Sequence, residues 1–504
     1  MASILIRNVR AQDQLPVAKP PSGAGRSLCY WATVACSILS LSIPIWAFRY
    51  QGLVDYNNHL VRCYILAHYH ENPSLQQQYV IVHSPVPDMA MDLITVPLAK
   101  TMDYRIAGKI FLEITLLVWA AGCHLLGRAV QGRNHWPSIL GIWCLTSPTW
   151  LQGWVACQFG VAVFMVAFAY WYVNRERLTP TRVAICAILT AAAYLSHLVG
   201  YGLLVLACGV MAVLDFAHTR SWRSLLRQTW FLAIPLLLLA IYMNHGGEVG
   251  VVKWDPLMPK IKGLLGPLTS YNRNLNIALL VICIAVCIAI IRRVRWKPTI
   301  LVSLALLVVF SFCPARLMTS WGADLKLVIP IYLIAFASIS LPSGLLSRVA
   351  FALLLLVLII KNVEIALAWA KLQPPMVAAV GLGSRVAVGS AVYYFRDYTG
   401  VPNDERPLME ANEYWTVNRG TFFPTLFAKR GQHLLNFRNA PCNAMTSDFR
   451  NWVPSCLAQY NYVLNTPLPS GAESKLTAYA TKIATVDYLT LWKINNEAVR
   501  AATK

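Results

Sequence analysis

The stretch VDYNNHLVR places Asp55, Tyr56, Asn57, Asn58, His59 and Arg62 immediately after a long apolar run. A carboxylate there can take a proton from a hydroxyl, and a histidine one turn later can orient it or relay the proton. Four further segments carry similar material. SPVPDMAMD holds Asp88 and Asp92 at i and i+4, a spacing that predicts one shared helical face. TWLQGWVACQFG offers Trp150, Gln152, Trp154 and Gln158, and YLSHLVGY offers Tyr194, Ser196, His197 and Tyr201. ARLMTSWGADLK brings Arg316, Ser320, Trp321, Asp324 and Lys326. Cations stabilise charge developing on a departing phosphate, and Trp and Tyr faces cover the apolar side of a sugar ring. The mixture suits group transfer from a lipid-linked phosphate, with Asp55 as base, His59 and His197 as orienting or acceptor-binding partners, and Arg316 with Lys326 as a phosphate clamp. A divalent metal on oxygen ligands, magnesium or manganese, would serve in place of one cation. The chain has no CxxC or Cys/His zinc spacing, GxGxxG, GKS or GKT loop.

These segments are held by apolar elements. Of 504 residues, 57% are apolar and 13% are Asp, Glu, Lys or Arg, where soluble domains carry roughly a quarter charged residues. A water-soluble fold is excluded for most of the chain. Apolar runs of roughly 15 to 22 residues recur, and about eleven spans are expected. Their approximate ranges are 27–48, 106–126, 136–152, 157–174, 183–197, 199–217, 229–243, 276–291, 298–313, 327–342 and 349–366. Basic residues cluster at alternate ends of these runs, as in Arg7, Arg10, Lys19 and Arg26, then Arg175, Arg177 and Arg182, then Arg292, Arg293, Arg295 and Lys297. Lys and Arg are retained on the cytoplasmic side, so the tail 1–26 is expected there, uncleaved, in a bacterial inner (plasma) membrane. The net charge of +21 then reports topology and contact with anionic membrane lipid, and no nucleic-acid partner is expected.

Two segments break the rhythm of the spans. Residues 51–105 form an outer loop far longer than the two to eight residues usual between packed helices. Within it NHLVRCYILAHYH and MAMDLITVPLAKTM carry apolar stripes, which predict interfacial helices, with Leu60, Cys63, Tyr64 and Ala67 on the apolar face of the first. From 372 to 504 the apolar runs cease. SRVAVGSAVYY and YNYVLNT read as strands, so a small α/β domain is expected outside the cytoplasm. Cys442 and Cys456 fall on that oxidising side, where a disulfide and two free thiols are both open. The fold class is thus an all-α polytopic domain, 27–371, followed by an extracytoplasmic α/β domain.

Together VDYNNHLVR, NPSLQQQYV, PDMAMDL, WLQGWVACQFG, LSHLVGYG, SWGADLKL and NRGTFFPTLF resemble a bacterial group within the C-type glycosyltransferase superfamily (GT-C). The resemblance covers most of the chain. It implies an integral-membrane glycosyltransferase that moves a sugar from a polyprenyl-phosphate donor to a cell-envelope glycan, lipid or protein acceptor at the periplasmic face. It further implies that Asp55 is the first-loop catalytic acid. Many members have two adjacent acids there, whereas Asp55 is followed by Tyr56, so the second acid would be Asp88 or Asp92.

Plainer roles compete with each of these. Asp55 can cap a helix beginning near Asn58, or His59 can pair with it. Asp88 and Asp92 can form a solvated helix face, and His197 can tie two helix ends together. Arg316 and Lys326 can anchor headgroups, with Asp324 paired to one of them, and the tryptophans can belong to an interfacial belt. Lys109 and Glu113 lie one turn apart and are expected to neutralise each other. A transporter or flippase of a lipid-linked or anionic solute is the rival function, but such proteins commonly carry inverted repeats and none is evident.

Overall fold

A computed structural model describes residues 24–243, 251–317, 320–342, 344–428, 433–439, 442, 454–468 and 472–503. Among these described residues, seven helices are long and apolar enough to cross a membrane: Ser27–Ala47, Tyr104–Gln131, Val155–Asn174, Leu198–Thr219, Trp222–Ile241, Arg273–Arg293 and Leu345–Arg385. Their outward faces leave Leu237, Val281, Ile284 and Ile288 exposed, an apolar surface that requires a non-aqueous surrounding. The protein is therefore a multi-pass helical membrane protein.

Four of the eleven expected spans are shorter or broken. Pro180–Ser196, Ile300–Phe312 and Leu325–Ser338 are apolar helices of 17, 13 and 14 residues. The stretch expected at 136–152 is two short helices, Pro137–Trp143 and Pro148–Leu151. Pro148 has no N–H to continue the ladder. In the break between the two short helices the Thr146 carbonyl is met by the ammonium of Lys361 at 2.8 Å, which also reaches the Pro267 carbonyl at 3.0 Å. Within the bundle the Tyr104–Gln131 and Val155–Asn174 helices lie close together. A Cβ on Gly122 would stand 2.9 Å from the Met165 Cβ, so a small residue is needed at that crossing. Lys109 and Glu113 do not pair: Glu113 accepts from Ser42 (2.8 Å) and Trp46 Nε1 (3.0 Å), while Lys109 donates to the Trp46 carbonyl.

The last long helix continues through Leu382, past the expected boundary at 372. Beyond it, a four-stranded sheet has Val392–Phe395 parallel to Tyr462–Asn465, which pairs antiparallel with Leu489–Ile494, itself antiparallel to Ala480–Val486. Cys442 and Cys456 are joined in a disulfide, with Cα atoms 5.4 Å apart. The segment 51–105 and the carboxyl-terminal segment are stitched together. Tyr79–Ile81 pairs antiparallel with Leu435–Phe437, and the Glu413–Arg419 helix packs on Tyr56–His68. The Tyr56–His68 helix is consequently buried around most of its circumference, including Asn57, Asn58, His59 and Arg62, and not along a single apolar stripe. Asn57, Asn58 and Arg62 on it meet protein partners.

Candidate functional site

Asp55 is fixed first through its backbone. Its N–H donates to the Gln152 carbonyl at 2.9 Å, and the Val54 N–H to the Leu151 carbonyl at 3.1 Å. Gln152 thus contributes its main chain here. Between Gln152 and Trp154 lies Gly153 at φ +85°, where a Cβ would come within 2.6 Å of the backbone nitrogens of both Asp55 and Tyr56. Only glycine fits. Gly153→Ala is expected to cost about 1–3 kcal/mol through the left-handed backbone and this collision. A lowered Tm in detergent, with loss of the contact described next, would show it.

That contact is a hydrogen bond from Trp154 Nε1 to Asp55 Oδ2, 3.0 Å long. Asp55 precedes the Tyr56–His68 helix at its cap position but makes no side-chain cap bond, so its carboxyl answers to Trp154 instead. The helix begins at Tyr56, earlier than expected. On the Trp154 ring sits the Lys326 ammonium, 4.8 Å from the centroid, and Lys326 donates to Ser320 Oγ at 2.7 Å. Gly322, at φ +59°, lets the 316–321 hairpin approach the same indole; a Cβ there would lie 2.2 Å from it. Three segments distant in sequence therefore converge on one carboxyl.

A fourth comes from the carboxyl-terminal segment. Glu410 is fully buried and accepts from Asn58 Nδ2 at 2.7 Å, from Tyr398 OH and from Arg396, with which it forms an ion pair. Asn57 accepts from Tyr414 OH at 2.9 Å. Sequence reasoning missed Arg396, Tyr398 and Glu410. Their only local signal is charge set among apolar and aromatic residues, as in YYFRDY and PLMEANEYW.

The electrostatics follow from this packing. Asp55 is pushed up to about 7, first by burial and then by Glu410, while Arg396, the Trp154 bond and Lys326 oppose the rise. Asp88 is pushed up to about 7 mainly by burial, against Arg62, with Asp92 adding to the rise and Lys326 opposing it. Burial holds both His59 and His197 well below the usual histidine range, and Lys326 adds to each. Both imidazoles are neutral at pH 7. Glu413, beside Glu410, rises to about 8 through burial and that neighbour. A carboxyl titrating near neutrality is matched to both taking and returning a proton.

The remaining expected residues divide. His59 does not pair with Asp55; its ring packs edge-on to Phe427 and its Nδ1 is buried without a hydrogen-bond partner. His197 accepts from the Val199 N–H and caps the Leu198–Thr219 helix. Asp88 lies before the Ala90–Ala99 helix, not on it, so it shares no helical face with Asp92; the His433 imidazole stands 3.9 Å from it. Asp92 is sealed against Arg62, whose Nε and Nη2 lie 3.0 Å from Oδ1. Asp324 pairs with Lys260 at 3.1 Å, and not with Arg316 or Lys326; it also caps the Leu325–Ser338 helix. Arg316 stacks over Trp321, 5.7 Å from its centroid, and Trp321 is 65% exposed. The cations that act most strongly on Asp55 are Arg396 and Lys326, not Arg316. Among the described residues no group of three or more His, Cys, Asp or Glu side chains is gathered to hold a metal ion. Compared with models of known protein families and with curated proteins, the chain matches none.

Proposed function

We propose that this chain is an integral-membrane glycosyltransferase of GT-C architecture, moving a sugar from a polyprenyl-phosphate donor to an envelope glycan, lipid or protein acceptor. The proposal places the reaction at the periplasmic face of a bacterial inner membrane, with about eleven crossings and the amino terminus in the cytoplasm. One observation carries it: a half-buried carboxyl of near-neutral acidity, held by an indole at the end of the first span and acted on by Lys326 and Arg396. In the step envisaged, Asp55 takes the proton of the acceptor hydroxyl as its oxygen bonds the anomeric carbon. The bond from that carbon to the phosphate oxygen breaks, and the phosphate leaves with the electron pair. Lys326 lowers the energy of the charge that develops there. His59 and His197, both neutral, are suited to hydrogen-bond sugar hydroxyls without adding charge. The disulfide fits an oxidising compartment for the carboxyl-terminal segment.

The test is reconstitution of the purified chain in proteoliposomes with a panel of polyprenyl-phosphate sugars and envelope acceptors. Release of free polyprenyl phosphate coupled to glycosylation of an acceptor is expected. Movement of intact donor across the bilayer without such release would replace transfer with translocation.

A further inference from the structure

Arg396 stands where the proposed transfer needs a cation, although it lies 341 positions from the base in sequence. Its ion pair with Glu410 is tied, through Asn58, to the first turn of the helix that follows Asp55. Among the described residues that pair holds the only hydrogen bond the Arg396 guanidinium makes, out of the five N–H donors such a group carries. The side chain is 24% exposed while Glu410 is fully buried, so one edge is anchored on the acid and only part of the group reaches the surface. Beside it, the Tyr398 ring receives two guanidinium groups, Arg396 at 5.5 Å and Arg406 at 5.8 Å from its centroid. Among the described residues the Arg406 Nε, which is buried, has no hydrogen-bond partner. Two guanidinium groups thus share the Tyr398 ring, one acid is bonded to Arg396, and Arg396 also acts on Asp55. Such a fork is suited to bidentate binding of phosphate oxygens.

We propose that Arg396, with Arg406 at the same Tyr398 ring, binds the phosphate group of the substrate, so that the carboxyl-terminal segment completes the site and Arg316 does not hold the phosphate. This rests on the transferase proposal for the donor's identity, whereas the phosphate chemistry itself has two sources, a lipid-linked phosphate and a free one.

The experiment measures binding to the full-length protein in nanodiscs, using farnesyl phosphate, farnesol and inorganic phosphate as probes. Arg396→Gln alone would strand the buried Glu410, so the test variant is Arg396→Gln with Glu410→Gln, accompanied by Arg396→Lys. Farnesyl phosphate is expected to bind wild type at least about tenfold more tightly than farnesol, and the double variant to lose about that factor. Arg396→Lys, which keeps the charge but not the fork, is expected to lose about threefold. If farnesyl phosphate binds the double variant as it binds wild type, the assignment of Arg396 falls while the transferase proposal stands. If inorganic phosphate binds as tightly as farnesyl phosphate and the double variant loses both, Arg396 is upheld and the lipid-linked donor is not. If farnesyl phosphate and farnesol bind wild type equally, both proposals fall.

Discussion

Asp55→Asn is expected to lower sugar transfer by roughly 10²- to 10⁴-fold, the usual contribution of a positioned general base. The amide oxygen still accepts from Trp154 Nε1, so the side chain keeps its place. Burial and Glu410 already disfavour the charged carboxylate. Removing that charge therefore leaves the Tm unchanged or slightly raised. The measurement pairs a transfer assay with a melting curve on the same preparation, and a fall in both together would mark Asp55 as structural. The pH profile gives a second check. The base acts only when deprotonated, and its acidity lies near 7, so the wild-type rate should be low at pH 5 and rise through pH about 7. Transfer retained in Asp55→Asn with the same acid limb would move the role to Asp88, which titrates in the same range.

Asp92→Ala should act on stability instead. Arg62 is fully buried, and Asp92 beside it is 3% exposed. Removing the acid leaves an unpaired guanidinium inside the protein, a loss of about 3–5 kcal/mol. A large fall in Tm is expected, with transfer per folded molecule little changed. Replacing both partners, as Arg62→Met with Asp92→Leu, should recover much of the loss because no buried charge is then left alone. An Asp92→Ala protein that melts as wild type but no longer binds substrate would return Asp92 to the site. The same contrast separates the acids generally: Asp324 meets Lys260 and a helix end, whereas Asp55 accepts from the Trp154 indole, Asp88 stands 3.9 Å from the His433 imidazole, and both sit raised near neutrality.

Much of the architecture was open to a reader of the sequence. Most of the long apolar helices fall close to their expected ranges, the strand at Val392–Phe395 overlaps the end of SRVAVGSAVYY, and that at Tyr462–Asn465 lies within YNYVLNT. The failures have specific causes. Hydropathy averages over a window and does not see that Pro148 removes a donor, so 136–152 read as one span. The i, i+4 spacing of Asp88 and Asp92 implies a shared face only if both residues are helical, and the chain turns at Asp88 before the helix starts. Nearest-charge pairing failed for Asp324 because Lys260, 64 positions away, is closer in space than Arg316 or Lys326.

Whether a segment sits in lipid is decided segment by segment, because the bilayer acts as a solvent on each run of residues separately. Composition and apolar periodicity therefore determined by themselves that this is a multi-pass membrane protein, and located the polar stretch that begins at Asp55. Which polar groups face one another is a different kind of fact. It depends on packing between distant stretches: Asp55 meets Trp154 because Gly153 admits the close approach, and Asn58 meets Glu410 because the carboxyl-terminal segment folds back onto the segment that follows the first long helix. Buried polar groups must find partners, but nothing in a linear pattern says which, and only the tertiary structure made that choice.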